Sequence, residues 1–105
     1  MTDKNKMQDK CIWIRMGREL AALHDLIVDI QCEPDYLAVM DVKTWDKLSK
    51  LTWYLDQVRG LAEERMARNV PDWSTRTFYP VDRKDIQAAI NEFRQKMKED
   101  QTNEC

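Results

Sequence analysis

Residues 16–34 read MGRELAALHDLIVDIQCEP, and this stretch decides the fold class. Its large apolar side chains recur every three or four residues, at Met16, Leu20, Leu23, Ile27 and Ile30. Side chains at that spacing lie one above the other on a single face of an α-helix. The same spacing returns further along the chain, at Leu48, Leu51, Leu55, Val58 and Ala62. The sequence therefore predicts two amphipathic helices whose apolar stripes face each other in one core.

The composition fits one small helical domain over residues 1–105. Hydrophobic residues make up 43% of the chain and charged residues 34%, which is ordinary for a globular protein with much exposed helix. Two glycines and three prolines provide few turns, so an all-β fold is not expected. The net charge of -2 is the remainder of seventeen basic and nineteen acidic residues. Neither a polyanion nor an anionic membrane is therefore the expected partner.

The first two helices and their connector have predictable limits. Helix one is expected from Met7 or Lys10 to Gln31, and Pro34 ends it. The sequence Glu-Pro-Asp at 33–35 is typical of a new helix start, so 36–40 is predicted to form one or two helical turns. An extended conformation over 36–42 is the alternative. Helix two is expected to begin at Asp41 or Thr44, both of which can cap, and to end at Arg68.

A third helix is predicted after Asp82, which can cap it. Val81 before this cap and Ile86 after it occupy the two positions of a hydrophobic staple. The apolar stripe of this helix comprises Ile86, Ala89, Ile90, Phe93 and Met97. Residues 1–9 and 98–105 are expected to be frayed or disordered. The predicted fold is an all-α, antiparallel three-helix bundle with a short helical connector and one long aromatic loop.

The predicted aromatic loop spans Asn69 to Val81 and separates helices two and three. It contains Trp73, Phe78 and Tyr79, and three aromatic side chains make an unpacked loop of that length unfavourable. Two interpretations follow. The loop covers one end or side of the bundle, or it presents a surface that binds a partner.

Two helices carry more apolar surface than one buried face requires. On helix one, Ile14, Gly17, Ala21, His24 and Val28 form a second line about 120° around the axis from the main stripe. On helix two, Trp53 lies nearly opposite the main stripe beside Ser49 and Gly60, and it is predicted to be buried. The loop, a second subunit or another protein could provide the cover. The candidate interface comprises Ile14, Ala21, His24, Val28, Trp53, Trp73, Phe78 and Tyr79.

No catalytic, cofactor or metal site is predicted. His24 is the single histidine, and its neighbours on the same helix provide neither a carboxylate nor a thiol within one turn, so it is interpreted as a packed or interface residue. Cys11, Cys32 and Cys105 lack the spacing of metal ligands and suit reduced thiols. Met1 to Lys10 lacks the apolar core of a signal peptide. The expected location is cytoplasmic.

The expected function is a non-catalytic helical protein–protein interaction module that self-associates, most simply as a homodimer. The alternative is a small DNA-binding regulator. Ile30 to Leu37 resembles the turn and second-helix start of a helix-turn-helix, which would place a reading helix after Pro34. Ala38 to Leu55 also resembles the strand-to-helix segment of Phd-type antitoxins. Residues 36–46 hold one lysine and two aspartates, so the phosphate backbone would meet little positive charge, and nucleic acid is not the expected partner.

Overall fold

The structure, a computed structural model, describes residues 2–80 and 83–100 of the chain. Within them lie five α-helices: α1 (Lys4–Met7), α2 (Lys10–Cys32), α3 (Pro34–Val39), α4 (Val42–Asn69) and α5 (Lys84–Asp100). One turn of 3-10 helix, Thr75–Thr77, lies between α4 and α5. No described residue belongs to a β-strand. The all-α class predicted from the sequence is confirmed.

Acidic caps fix where the helices around the connector begin. The side chain of Glu33 accepts a hydrogen bond from the Asp35 N–H, and Pro34 occupies the first turn of α3, where its missing N–H costs nothing. Asp41 caps α4 by accepting from the Thr44 N–H at 2.7 Å. Hydrogen bonds from Thr44 hold the pKa of the Asp41 carboxyl below its ordinary value. The connector at 36–40 is therefore mainly helical.

Both ends of the chain carry more helix than the sequence suggests. Asp3 caps the short helix α1 by accepting from two backbone N–H groups, and the Trp13 indole N–H donates to the Met7 carbonyl at 2.7 Å. These bonds hold residues 4–7 against α2. At the other end, α5 continues to Asp100. The predicted cap and staple residues of α5, at 81 and 82, and the tail after Asp100 lie outside the described residues.

Helices α2 and α4 lie side by side, with the start of one beside the end of the other. Near the start of α2, the Lys10 ammonium pairs with the Asp72 carboxylate at 2.8 Å, just beyond the end of α4. This ammonium also lowers the pKa of the Asp72 carboxyl. Near the end of α2, the Gln31 side-chain amide donates to the Ser49 hydroxyl at 2.9 Å. Polar contacts thus join the two helices at both ends.

The core consists of two clusters of buried side chains, and α2 contributes to both. The first cluster joins α2 to α4 and the following loop through Trp13, Met66, Val70 and Phe78. The second joins α2 to α5 through Ala21, Ile86 and Ile90. The two predicted stripes meet in part, since Met16 and Leu20 of α2 and Ala62 of α4 pack against the first cluster. The expectation of a single core is wrong, because α5 packs on the second face of α2 and Leu23, Leu51 and Val58 are exposed. No buried cluster among the described residues connects α4 to α5.

Gly17 allows the loop to approach α2 closely. A Cβ atom built on Gly17 would lie 2.1 Å from the carbonyl oxygen of Thr77. Such an overlap with backbone cannot be relieved by turning a side chain, so only glycine fits here without movement of the loop. The helix-propensity cost of this glycine is about 1 kcal/mol. Its place within α2 is therefore explained by packing.

Candidate functional site

An exposed apolar stripe runs along the middle of α4. Its members are spaced by three, four and three residues, and we name them the outer stripe: Leu51, Tyr54, Val58 and Leu61. Each keeps between 48% and 67% of its surface accessible to solvent. This spacing puts four large side chains on one line of the helix, and the described part of the chain leaves about half or more of each uncovered. Scattered exposed apolar residues are normal, but a continuous line of them indicates a binding surface.

The outer stripe lies beside the packed face of α4. At 100° per residue, its centre is about 80° around the helix from Leu55, which is buried. Leu51 and Val58 were expected in the core, and the structure places both at the surface. The reason is that α2 covers only one flank of α4, while α5 packs on the far side of α2. The helix therefore has two apolar faces, of which the described residues cover one.

Charged side chains border the outer stripe. Lys47 and Arg65 lie on the line of the stripe, one turn before Leu51 and one turn after Leu61. Lys50 and Glu64 lie along its outward edge, away from the core. Glu64 and Arg68 approach to 4.0 Å, with both side chains about 70% exposed, so this pair stabilises little. The apolar line is thus rimmed by charges that remain available to a partner.

A second exposed apolar area surrounds the connector. Val39 and Val42 are the most exposed large apolar residues at this end, and Tyr36 and Leu37 of α3 are about half exposed. We name these four residues the connector patch. Helix α3 contains no Lys or Arg, and Asp35 lies in its first turn. A helix of this charge is poorly suited to a phosphate backbone.

Trp53 is not covered by the aromatic loop. Its side chain is 57% exposed, and its ring contacts the neighbouring Tyr54 ring at 4.9 Å between centroids. The loop, one of the alternative covers predicted for this tryptophan, does not bury it, because the loop packs at the opposite end of α4, around Trp13 and Met66. That a second subunit covers Trp53 stays a prediction.

The other predicted interface residues fall into two groups. Phe78 and Ala21 are fully buried within the chain and cannot serve as a surface, which corrects their assignment. Four residues are partly or largely exposed: Ile14, Val28, Trp73 and Tyr79. Of these, Tyr79 lies beneath the guanidinium of Arg59, 4.3 Å from the centre of the ring. The predicted set is therefore dispersed over the molecule and forms no single surface.

Arg59 is a buried charge that the sequence analysis missed. Only 2% of it is exposed, and its Nε and Nη2 atoms both donate to the Phe78 carbonyl oxygen. Its Nη1 atom lies 3.4 Å from the Asp56 carboxylate. These bonds satisfy a buried guanidinium and fasten the loop to α4. The sequence did offer one indication that Arg59 is buried, since it lies between Leu55 and Met66 on the buried face of α4.

His24 lies between two carboxylates on different helices. Its Nδ1 atom is 3.3 Å from Asp25, and its Nε2 atom is 3.7 Å from Asp56 on α4. Arg83 reaches the second oxygen of Asp25 at 3.3 Å. No carboxylate was expected near His24 on its own helix, and the contact with Asp25 shows that this expectation was wrong. Since both carboxylates also pair with arginines, this network ties α2, α4 and the start of α5 together.

The described residues contain no cluster of metal-ligating side chains. No three or more His, Cys, Asp or Glu side chains in this part of the chain are grouped to share a metal ion. Cys11 and Cys32 are free and exposed. Of the helices within residues 2–80 and 83–100, none is long and apolar enough to cross a membrane. The outer stripe is therefore the strongest candidate for a functional surface.

Comparison with known proteins gives no relative from which a role could be transferred. The chain matches no protein-family model, no curated protein and no solved structure.

Proposed function

We propose that this protein is a non-catalytic helical interaction module that binds another protein surface through the outer stripe of α4. In this proposal the chain forms a bundle in which α4 lies antiparallel to α2, and the aromatic loop closes only the end near Trp13. The bundle holds α4 rigid, so its free face is already arranged for binding. A preformed surface reduces the ordering cost of association.

The exposure of four consecutive stripe residues on one rigid helix carries the proposal. Leu51, Tyr54, Val58 and Leu61 expose about half or more of their surface. An amphipathic helix or a second helical face docks against such a line at the same three- and four-residue spacing. Burial of these side chains would remove apolar area from water, at roughly 25 cal/mol per Å². The charged rim then sets orientation and partner choice.

Trp53 is less suited to anchor the interface than the outer stripe. Its neighbours one turn away on either side are Ser49, Lys50, Asp56 and Gln57, so no apolar line continues from it along the helix. It also lies about 140° around the helix from Val58. A singly exposed aromatic residue needs no special explanation. Trp53 and Val58 are therefore both exposed on α4, but only Val58 belongs to an apolar line.

Affinity capture with two tagged variants tests the proposal. The tagged chain is expressed in its native host, cross-linked in the cell, and the captured proteins, including untagged copies of the chain, are quantified by mass spectrometry. We expect Val58→Glu to lose the captured partner and Trp53→Glu to retain it, with circular dichroism showing that both variants fold. Equal capture by wild type and Val58→Glu would contradict the proposal.

A further inference from the structure

We propose that the partner of the outer stripe is a second copy of this chain, with the two α4 helices antiparallel about a two-fold axis at the level of Asp56. This inference rests on the proposed function and narrows it to one partner. A two-fold dimer uses the same surface on both copies, so that surface must be complementary to itself after reversal. The apolar spacing of the outer stripe satisfies this condition, and Lys50 and Glu64 on its edge are brought together across the axis.

The apolar residues pair in layers when the helix is reversed on itself. Leu51 of one copy lies opposite Leu61 of the other, and Tyr54 lies opposite Val58 of the other. Large and medium side chains then alternate across the contact, which allows them to interdigitate. The stripe spans about 15 Å at 1.5 Å per residue, so four layers fit between the two helices.

The rim charges favour the antiparallel arrangement. Lys50 lies six residues before Asp56 and Glu64 lies eight residues after it, along the same edge of the stripe. Reversal about Asp56 therefore brings Lys50 of each copy within two residues of Glu64 of the other, about 3 Å along the helix axis. These long side chains span that offset, giving two equivalent ion pairs. A parallel, in-register pair would instead bring Lys50 near Leu55 of the second copy, which is buried in its own core. The antiparallel pair, in contrast, brings Lys50 to Glu64, which also pairs with Arg68 of its own copy.

The size of the contact predicts a weak, concentration-dependent dimer. Four large side chains from each copy bury less than the roughly 800 Å² per partner of a standard interface. We therefore expect a dissociation constant on the order of 10–100 µM. Lys47 and Arg65, at the two ends of the stripe, meet across the pair and limit the contact to these four layers.

Sedimentation equilibrium of the full chain tests the inference, in a series from about 5 to about 500 µM. We expect wild type to pass from monomer to dimer within this range. Val58→Glu buries a carboxylate at the centre of the contact, so the dissociation constant should rise at least about tenfold. Trp53→Glu changes an equally exposed residue off the stripe and should leave the dissociation constant within about twofold. Circular dichroism checks that each variant is folded.

Charge exchange tests the antiparallel register. Lys50→Glu and Glu64→Lys each place like charges together and should weaken the dimer about three- to tenfold at low salt. The double variant, with both changes, restores opposite charges across the axis and should return to within about twofold of wild type. Failure of the double variant to recover would overturn the antiparallel pairing.

The remaining outcomes separate this inference from the proposed function. A wild-type chain that stays monomeric at the highest concentration overturns the dimer. If the captured partner in cells is then a different protein and is still lost in Val58→Glu, the proposed function holds without self-association. A Val58→Glu variant that dimerises like wild type would also overturn the inference, because the dimer would then use another face.

Discussion

The two halves of α4 belong to one continuous helix but have different surroundings. In the second half, Arg59 and Met66 are buried, and Met66 packs with Trp13 and the loop residue Phe78. In the first half, no residue from Val42 to Tyr54 is buried, although this half contains three aromatic side chains. The difference arises because the loop after α4 folds back over one end only. An amphipathic pattern therefore shows that a face is apolar, but not which neighbour covers it.

The largest effect should come from removing the buried aromatic ring that connects the loop to the packed half. Phe78 is fully buried against Trp13, with the two rings near perpendicular and 6.3 Å apart. Phe78→Ala should lower the free energy of unfolding by about 3–5 kcal/mol. Trp73→Ala, in the same loop but 40% exposed, should cost less than a third of that. Urea denaturation measures both, and equal losses would show that the loop is not anchored as described.

Two leucines on different faces of α4, about 120° apart around its axis, compare the packed face with the open one. Leu55 is 8% exposed and Leu61 is 67% exposed. Leu55→Ala should cost about 2–5 kcal/mol, whereas Leu61→Ala should cost less than about 0.5 kcal/mol. Unfolding is measured at low micromolar concentration, where any dimer is dissociated. A large loss for Leu61→Ala under those conditions would place it in the core.

Replacing Gly17 and Gly60 with alanine should change the stability of the fold in opposite directions. Gly17→Ala forces Cβ against the Thr77 carbonyl and should destabilise the fold by about 1–3 kcal/mol, because the loop must move. No atom lies within 4 Å of a Cβ built on Gly60, so Gly60→Ala should stabilise α4 by about 0.5–1 kcal/mol. Thermal unfolding gives both signs. A neutral Gly17→Ala would contradict the close approach of loop and helix.

Lowering the pH should reduce the stability of the fold by less than these substitutions do. The pKa values of Asp41 and Asp72 are lowered in the folded chain, by hydrogen bonds from Thr44 and by Lys10 respectively. Their stabilisation is therefore fully present above the ordinary pKa of 3.8 and is lost as the pH falls through the lowered values. Asp41→Asn with Asp72→Asn should reduce the fall in urea midpoint below pH 4. An unchanged acid dependence would show that other carboxylates control it.

Local chemistry made the helices predictable from the sequence. The spacing of Met16 to Ile30 gave α2 within a few residues, and Asp41 capped α4 as expected. Pro34 marked the break between α2 and α3. These features depend on residues one or two turns apart, so no tertiary information is needed.

The packing of the helices against one another could not be predicted in the same way. Ala21 belongs to a weak second line of small residues, yet it is completely buried because α5 packs there. Leu51 has the same spacing and residue type as the buried Leu55, yet it is exposed. A leucine in a core and a leucine at an interface obey the same helical spacing. The outer stripe therefore became visible only after the neighbours of α4 were known.

Methyl-detected NMR of the wild-type chain over a dilution series tests the central claim most directly, because it reports each face of α4 separately. We predict that the methyl resonances of Leu51, Val58 and Leu61 shift together with dilution, while those of Leu55 and the α5 residue Ile90 stay fixed. Concentration-dependent shifts confined to Val39 and Val42 of the connector patch, or no shifts up to about 500 µM, would contradict the claim that the outer stripe joins two copies of the chain.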